Sequence, residues 1–229
     1  MSNPICAVIG VGPKNGAAFA TRFSDAGYRI ALLSRSTNFS EQLASALSDA
    51  RCYACDASDP VSIASAFSQV QAEIGDVDVL IYNVGGGSWQ TVDEITPDGF
   101  EQSWRVNALG ALVASQQVIP AMKQRGSGNI IFVGATASLR GRPKTTGFAA
   151  AKAAQRSLAQ SMAKHLGPSG IHVSLLIIDG SIASAGSAEA TRGERLDPRD
   201  IAEVAHYLTT QLQSAWSFEV DVRPSKESW

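Results

Sequence analysis

The sequence is short of cysteine, histidine and surplus positive charge, and each shortage closes a functional class. Its 229 residues include three cysteines and three histidines. Cys6, Cys52 and Cys55 make an odd set, which fits thiols in a reducing compartment better than a disulfide framework. Cys52 and Cys55 have the spacing of a redox or metal pair, but no second pair faces them and a structural zinc site needs four ligands. His165, His172 and His206 are scattered, so no metal centre is expected. Lys plus Arg number 19 against 21 Asp plus Glu, a net charge of -2, which leaves no broad basic face for nucleic acid or anionic lipid. The longest uncharged apolar-rich run, Val106 to Met122, contains Gln116, Gln117 and Pro120, and is not a membrane span. Met1 to Pro4 lacks the basic segment of a secretory signal. The expectation is a soluble, cytoplasmic protein.

What is present is an alternation of strand-like and helix-like periods from end to end, the sequence form of a parallel sheet wrapped by helices. Ile5 to Ile9 predicts the first strand; Phe19, Ala20, Phe23 and Ala26 then recur at helical spacing until Gly27. Ile30 to Leu33 and Cys52 to Cys55 predict strands two and three, with Leu43 and Leu47 on the helix between them. Asp59-Pro60 starts a helix carrying Ile63, Phe67, Val70 and Ile74 on one stripe. Val77 to Tyr82 is strand four, Thr96-Pro97 opens one long helix to about Lys123, and Gly126 to Gly128 breaks it. Ile130 to Val133 is strand five, Phe148 to Leu166 an alanine-rich helix, and Val173 to Ile178 strand six. Asp197-Pro198 caps a helix with Ile201, Ala205, Leu208 and Leu212, before the alternating strand Phe218, Val220, Val222. Seven strands and about six helices make a doubly wound α/β sheet in a single domain, residues 1–229.

Ligands of such sheets bind beyond the carboxyl ends of the strands, where strand order reverses. After strand one, Gly10-Val11-Gly12-Pro13-Lys14-Asn15-Gly16 runs into a helix, a turn that lets backbone N–H groups and the helix dipole approach a pyrophosphate. Ser34 and Arg35 follow strand two, where a carboxylate would bind ribose hydroxyls and an arginine accommodates a 2′-phosphate. Lys14 is expected as a second cation at that corner, so NADP(H) is favoured over NAD(H). Asp56 is placed to accept from an adenine amino group, although it also suits a helix cap. Asn83, Val84 and Gly85 allow close backbone approach after strand four.

These pieces resemble the short-chain dehydrogenase/reductase family along essentially the whole chain. Ile9 to Gly16 resembles its Thr-Gly-x-x-x-Gly-x-Gly turn, with Lys14 at the middle glycine. Cys55-Asp56-Ala57 is similar to the adenine-contacting segment, and Tyr82 to Gly85 to the Asn-Asn-Ala-Gly segment that steadies the sheet. Asn107 matches the helix asparagine that orders a water beside the active-site lysine. The Tyr-x-x-x-Lys signature stands here as Phe148 to Lys152, and the serine thirteen positions upstream as Ala135. After strand six, Asp179-Gly180 replaces Pro-Gly and is followed by Ser181-Ile182 at the nicotinamide end.

The resemblance implies a nicotinamide-dependent oxidoreductase of a small-molecule carbonyl or alcohol, assembled as a homodimer or homotetramer. The departures remove the phenol that supplies the proton accompanying hydride transfer, while Lys152 and Asn107 are kept. Ser138, Thr136, Thr145 and Thr146 are the nearby hydroxyls. The alternative is a dinucleotide-binding protein without turnover, a redox sensor or partner subunit. Ala149, Ala150, Ala151, Ala153 and Ala154 around Lys152 suit close helix packing at a subunit interface.

Overall fold

A wholly parallel sheet forms the centre of the computed structural model, which describes residues 3–227. Seven strands are found among the described residues: β1 (Ile5–Ile9), β2 (Arg29–Ser34), β3 (Ala50–Ala54), β4 (Val79–Tyr82), β5 (Gly128–Ala135), β6 (Ile171–Ile178) and β7 (Glu219–Val222), in the order β3-β2-β1-β4-β5-β6-β7. Every residue of β1, β4 and β6 is buried, the unbroken apolar pattern of strands covered on both faces. In β7 exposed Glu219 and Asp221 alternate with half-buried valines, and these charges guard the sheet edge. The chain winds outward from β1 to β3, then returns to lay β4 on the other side of β1, with Ile9 level with Tyr82. Their divergent exit loops open a crevice between them.

Helices α1 (Asn15–Asp25) and α8 (Pro198–Thr209) cover one face with α2 (Asn38–Ala46). Helices α3 (Pro60–Glu73), α5 (Gly110–Arg125) and α6 (Thr146–Leu166) cover the other. Three starts carry side-chain caps followed by proline: Asp59, Thr96 and Asp197 accept the N–H of Val61, Gly99 and Arg199. Phe19, Phe23, Leu176 and Ile201 meet in one core, and Tyr82, Phe132, Met122 and Leu175 in the other.

Several boundaries differ from the sequence reading. The long helix after Thr96 divides into α4 (Pro97–Trp104), a π turn (Arg105–Leu109) and α5. A short α7 (Ala188–Thr191) follows β6, Leu47 and Leu212 fall outside their helices, and Gly128 lies inside β5. β3 ends at Ala54, and Cys52 packs into one core while Cys55 packs into the other, so they are no pair. Burial pushes the Cys55 thiol up to about 12, which keeps it from acting as a thiolate. Among the described residues no group of His, Cys, Asp and Glu is arranged to hold a metal, and no helix is long and apolar enough to cross a membrane.

The π turn is wedged against the sheet by close backbone contact. A Cβ on Gly110 would stand 2.1 Å from the Ala57 carbonyl oxygen and 2.4 Å from Tyr82 Oη. Alanine's better helix propensity is worth about 1 kcal/mol, less than a clash with backbone at that depth. Gly110→Ala is therefore expected to cost about 3 kcal/mol, lowering Tm by about 6–12 °C in calorimetry. An unchanged Tm would mean that the helix slides off the sheet without penalty.

Candidate functional site

The crevice is one trench made of three confluent cavities. The first, about 510 Å³, is lined by Gly10, Ser34, Arg35, Cys55, Asp56, Ala57 and the loop after β4. The second, about 590 Å³, runs past Gly12, Lys14, Asn15, Gly16, Asn83, Val84 and Gly85 to Lys152, Ala135 and Phe148. The third, about 300 Å³, continues from Ala135 and Phe148 to Thr136, Arg140, Thr145, Asp179, Gly180 and Glu227. The carboxyl ends of β1 to β6 thus supply most of the residues singled out in the sequence, with Phe148 and Lys152 coming from α6.

The glycine turn is held close to its neighbours. Gly10 has φ +87°, and a Cβ there would lie 2.9 Å from the Asn83 carbonyl oxygen; Asn83 Nδ2 donates to the Gly10 carbonyl at 2.9 Å. Gly12 and Gly85 face open space, with nothing within 4 Å of a built Cβ. Asn15 is buried, and its Oδ1 has no partner.

Two expectations at the outer corner are corrected. Lys14 does not stand beside Arg35: its ammonium donates to the Ile182 carbonyl at 2.6 Å, spanning from the turn to the loop after β6. Ser34 lines the first cavity, but its hydroxyl is bonded to the Ser36 carbonyl at 2.9 Å and to Ser40 Oγ at 2.7 Å. Arg35 remains exposed on the wall near Asp56. The Ser58 amide and hydroxyl both donate to Asp56 Oδ1 and hold its carboxyl below the ordinary range, leaving Oδ2 without a bond.

Lys152 is 2% exposed. Helix α6 aims its amine at the ends of β4 and β5, where it donates to the Val84 carbonyl at 3.0 Å, the Val133 carbonyl at 2.8 Å and Gln155 Oε1 at 3.1 Å. Burial pushes its pKa down to about 7. Three acceptors match the three N–H bonds of an ammonium, whereas a neutral amine would turn its lone pair toward one of them, so the cage opposes proton loss.

Gln155 is a residue the sequence reading missed. Its Nε2 donates to the Asn107 main-chain carbonyl at 2.9 Å while its Oε1 accepts from Lys152, so a buried amide occupies the line between asparagine and lysine where the resemblance implied a water. The available signal was a lone glutamine three residues past Lys152, on the same helix face, within a run of alanines. Asn107 sits in the π turn, fully buried, with Nδ2 on the Gly86 and Ser103 carbonyls at 2.6 and 2.8 Å. It therefore pins the loop after β4 as well.

Among the described residues no tyrosine lines the second or third cavity. Phe148 packs against Trp89 with ring centroids 5.5 Å apart, and the Lys152 amine lies 6.0 Å from its centroid. Tyr82 is no substitute, because its buried hydroxyl donates to the Val106 carbonyl at 2.5 Å. Ser138, a candidate donor, is corrected: it is buried, accepts from the Ala135 amide at 3.2 Å and lines none of the three cavities. The Thr145 hydroxyl donates to the Arg142 carbonyl at 3.0 Å. Thr136 donates to Asp179 Oδ1, and Asp179 Oδ2 faces Arg223 Nη2 at 3.2 Å and Arg140 Nη2 at 3.9 Å. The Asp179 carboxylate, expected at the cofactor, thus faces the third cavity.

Comparison with known proteins agrees with this geometry. The profile of the family described as short chain dehydrogenase matches residues 5–195. An uncharacterized oxidoreductase of Staphylococcus saprophyticus is 26% identical over 231 residues, covering 98% of each chain. A short-chain dehydrogenase structure from Rhodopseudomonas palustris is 30% identical with a TM-score of 0.85, covering 97% of this chain and 99% of that one. A metagenomic short-chain oxidoreductase in complex with NADP is 27% identical with a TM-score of 0.85, covering 99% of both chains.

Proposed function

The chain belongs to the short-chain dehydrogenase family, and on that premise we propose that it is a nicotinamide-dinucleotide-dependent oxidoreductase, NADP(H)-preferring, acting on a small carbonyl or alcohol without a catalytic phenol. The observation that carries this reading is the caged Lys152 amine, set in the wall of the second cavity with Ala135 and Phe148.

The residues of the trench fit the dinucleotide. Gly12 and Gly85 leave space that a side chain would fill, the Asn15 amide oxygen lacks a partner, and the N-terminus of the 11-residue α1 faces the same opening. Gly10, Gly12, Asn15 and Gly16 would hold the pyrophosphate, Asp56 the adenine, Arg35 a 2′-phosphate, and Lys152 the ribose beside the nicotinamide. When bound, the dinucleotide supplies or takes up a hydride. When protonated, Lys152 would place a positive charge at the ribose, while Phe148, Trp89 and Ala135 give that end of the trench an apolar wall that limits water.

The NADP preference is supported by Arg35 and by the NADP complex of the metagenomic relative. Arg35→Asp is expected to weaken 2′,5′-ADP at least about tenfold by calorimetry, since a charge-assisted contact worth about 1.5–3 kcal/mol becomes repulsive, with 5′-AMP little changed. Equal losses for both nucleotides would count against the preference. Transfer of deuterium from a 4-deuterated cofactor across a carbonyl panel tests turnover itself. A second reading, binding without turnover, is favoured by the missing hydroxyls at Ala135 and Phe148, and complete absence of label transfer would select it. The exposed Ala150 and Ala153 on α6, with Phe100 and Trp104 each 43% exposed on α4, support assembly as a homodimer or homotetramer.

A further inference from the structure

We propose that Thr136 and Asp179 form the proton-transfer pair of this site, with Thr136 Oγ1 facing the substrate oxygen and Asp179 exchanging the proton behind it. The proposal rests on the oxidoreductase reading above. It starts from elimination. Tyr82, Ser138 and Thr145 have their hydroxyls engaged with carbonyl or amide groups of the protein, and Lys152 is caged by three oxygens. Thr136 and Thr145 both line the cavity of Ala135 and Phe148, but of the two only the Thr136 hydroxyl, which also lies 3.5 Å from the Ile178 carbonyl, donates to a carboxylate.

Asp179 is 7% exposed, and it is held in place from two sides. Its amide donates to the Val222 carbonyl at 2.9 Å, and Arg223 and Arg140 face Oδ2. Both guanidinium groups face Oδ2, and Oδ1 is the acceptor for the Thr136 hydroxyl. A hydroxyl between a substrate and a carboxylate gains one proton as it loses another, so it never has to exist as a free alkoxide. This answers the weakness of an aliphatic hydroxyl as an acid.

The pair as arranged is set for alcohol oxidation. The alcohol O–H bond breaks and its proton passes to Thr136 Oγ1, while the Thr136 proton moves to Asp179 Oδ1. When bound, an oxidised nicotinamide dinucleotide would accept the carbinol hydrogen with its electron pair as the C=O bond forms. Asp179 then releases the proton to water through the cavity mouth. Reduction runs the same path backward, from a protonated Asp179.

The test compares wild type, Thr136→Val, Thr136→Ser and Asp179→Asn. NADP+ binding, read by calorimetry, is expected to stay within about threefold throughout, because both side chains line the third cavity and neither lines the first or second, where the dinucleotide is placed. Single-turnover transfer from a carbinol-deuterated alcohol panel is expected to fall about 100-fold or more in Thr136→Val and Asp179→Asn, the usual scale of a lost acid-base group, and to survive in Thr136→Ser. In cofactor-free protein, the carboxyl ¹³C resonance of Asp179 is expected to shift in Thr136→Val and to stay in Thr136→Ser. Wild-type transfer rates in Thr136→Val, or a carboxyl resonance indifferent to that change, would overturn the pair alone. Absence of transfer from the wild-type protein would overturn the oxidoreductase reading and the pair with it.

Discussion

Phe148→Tyr combined with Ala135→Ser is expected to raise carbonyl reduction by about 100-fold, toward the lower part of the range a positioned general acid contributes. Phe148, Ala135 and Lys152 line one cavity, and the Lys152 amine already lies 6.0 Å from the ring centroid. A phenol on that ring would gain a neighbouring cation that favours its ionised form, and a serine at position 135 would offer the hydroxyl absent from the end of β5. Lys152 and Asn107 need no change. The measurement is NADPH consumption over a carbonyl panel, with dinucleotide affinity as the control for folding. A doubly substituted protein that binds the dinucleotide and reduces nothing faster would show that the third cavity is not shaped to bring a carbonyl to this ring.

Lys152→Met is expected to cut dinucleotide affinity at least about tenfold, the scale of one charge-assisted hydrogen bond formed when the ammonium exchanges one of its three protein acceptors for ribose, and to change how stability depends on pH. Burial places the folded-state pKa at about 7 against an ordinary 10.5. Between those values the unfolded chain binds more protons at this lysine than the native one, so stability rises with pH across the window. Its slope at steepest is about 1.4 kcal/mol per pH unit, and the group adds none above 10.5. The methionine variant lacks that slope. It also leaves the Val84, Val133 and Gln155 oxygens without their donor, at about 1–3 kcal/mol for each one that stays dry. The absolute change at pH 7 therefore mixes two opposing effects, while the difference in slope isolates the amine. Urea unfolding of both proteins from pH 7 to 10.5 reads it, and parallel curves would mean that the lysine titrates as an exposed one does.

The strand sequence was legible because a parallel sheet buried on both faces writes each strand as an apolar run between turn residues, as in Ile5 to Ile9 and Val173 to Ile178. The trench was legible for a related reason: topology sends every strand's carboxyl end to one side, so residues just past the strands had to meet. What the sequence hid was side-chain direction. Nothing in the order of residues turns Ser34 toward Ser40, or sends Lys14 across to Ile182 instead of toward Arg35. The π turn was hidden as well, because Val106 to Leu109 reads as ordinary helix and the wedge that distorts it comes from Tyr82 and Ala57, distant in sequence. Gln155 escaped notice because amides are common on helix surfaces, and only burial against Asn107 and Lys152 gives this one a role.

The single hydrogen bond from Lys14 to Ile182 works as a latch across the mouth of the trench. It is exposed and unsupported by a carboxylate, so opening it costs about 1 kcal/mol, which would lower the apparent affinity of an arriving dinucleotide by about fivefold at most. Once opened, the same ammonium is released beside the pyrophosphate turn, where a diphosphate can replace the carbonyl as its partner. The loop after β6 itself stays tied when that bond opens, because the Leu196 amide donates to the Ser181 carbonyl and the Ala183 amide to the Leu196 carbonyl, each at 2.9 Å.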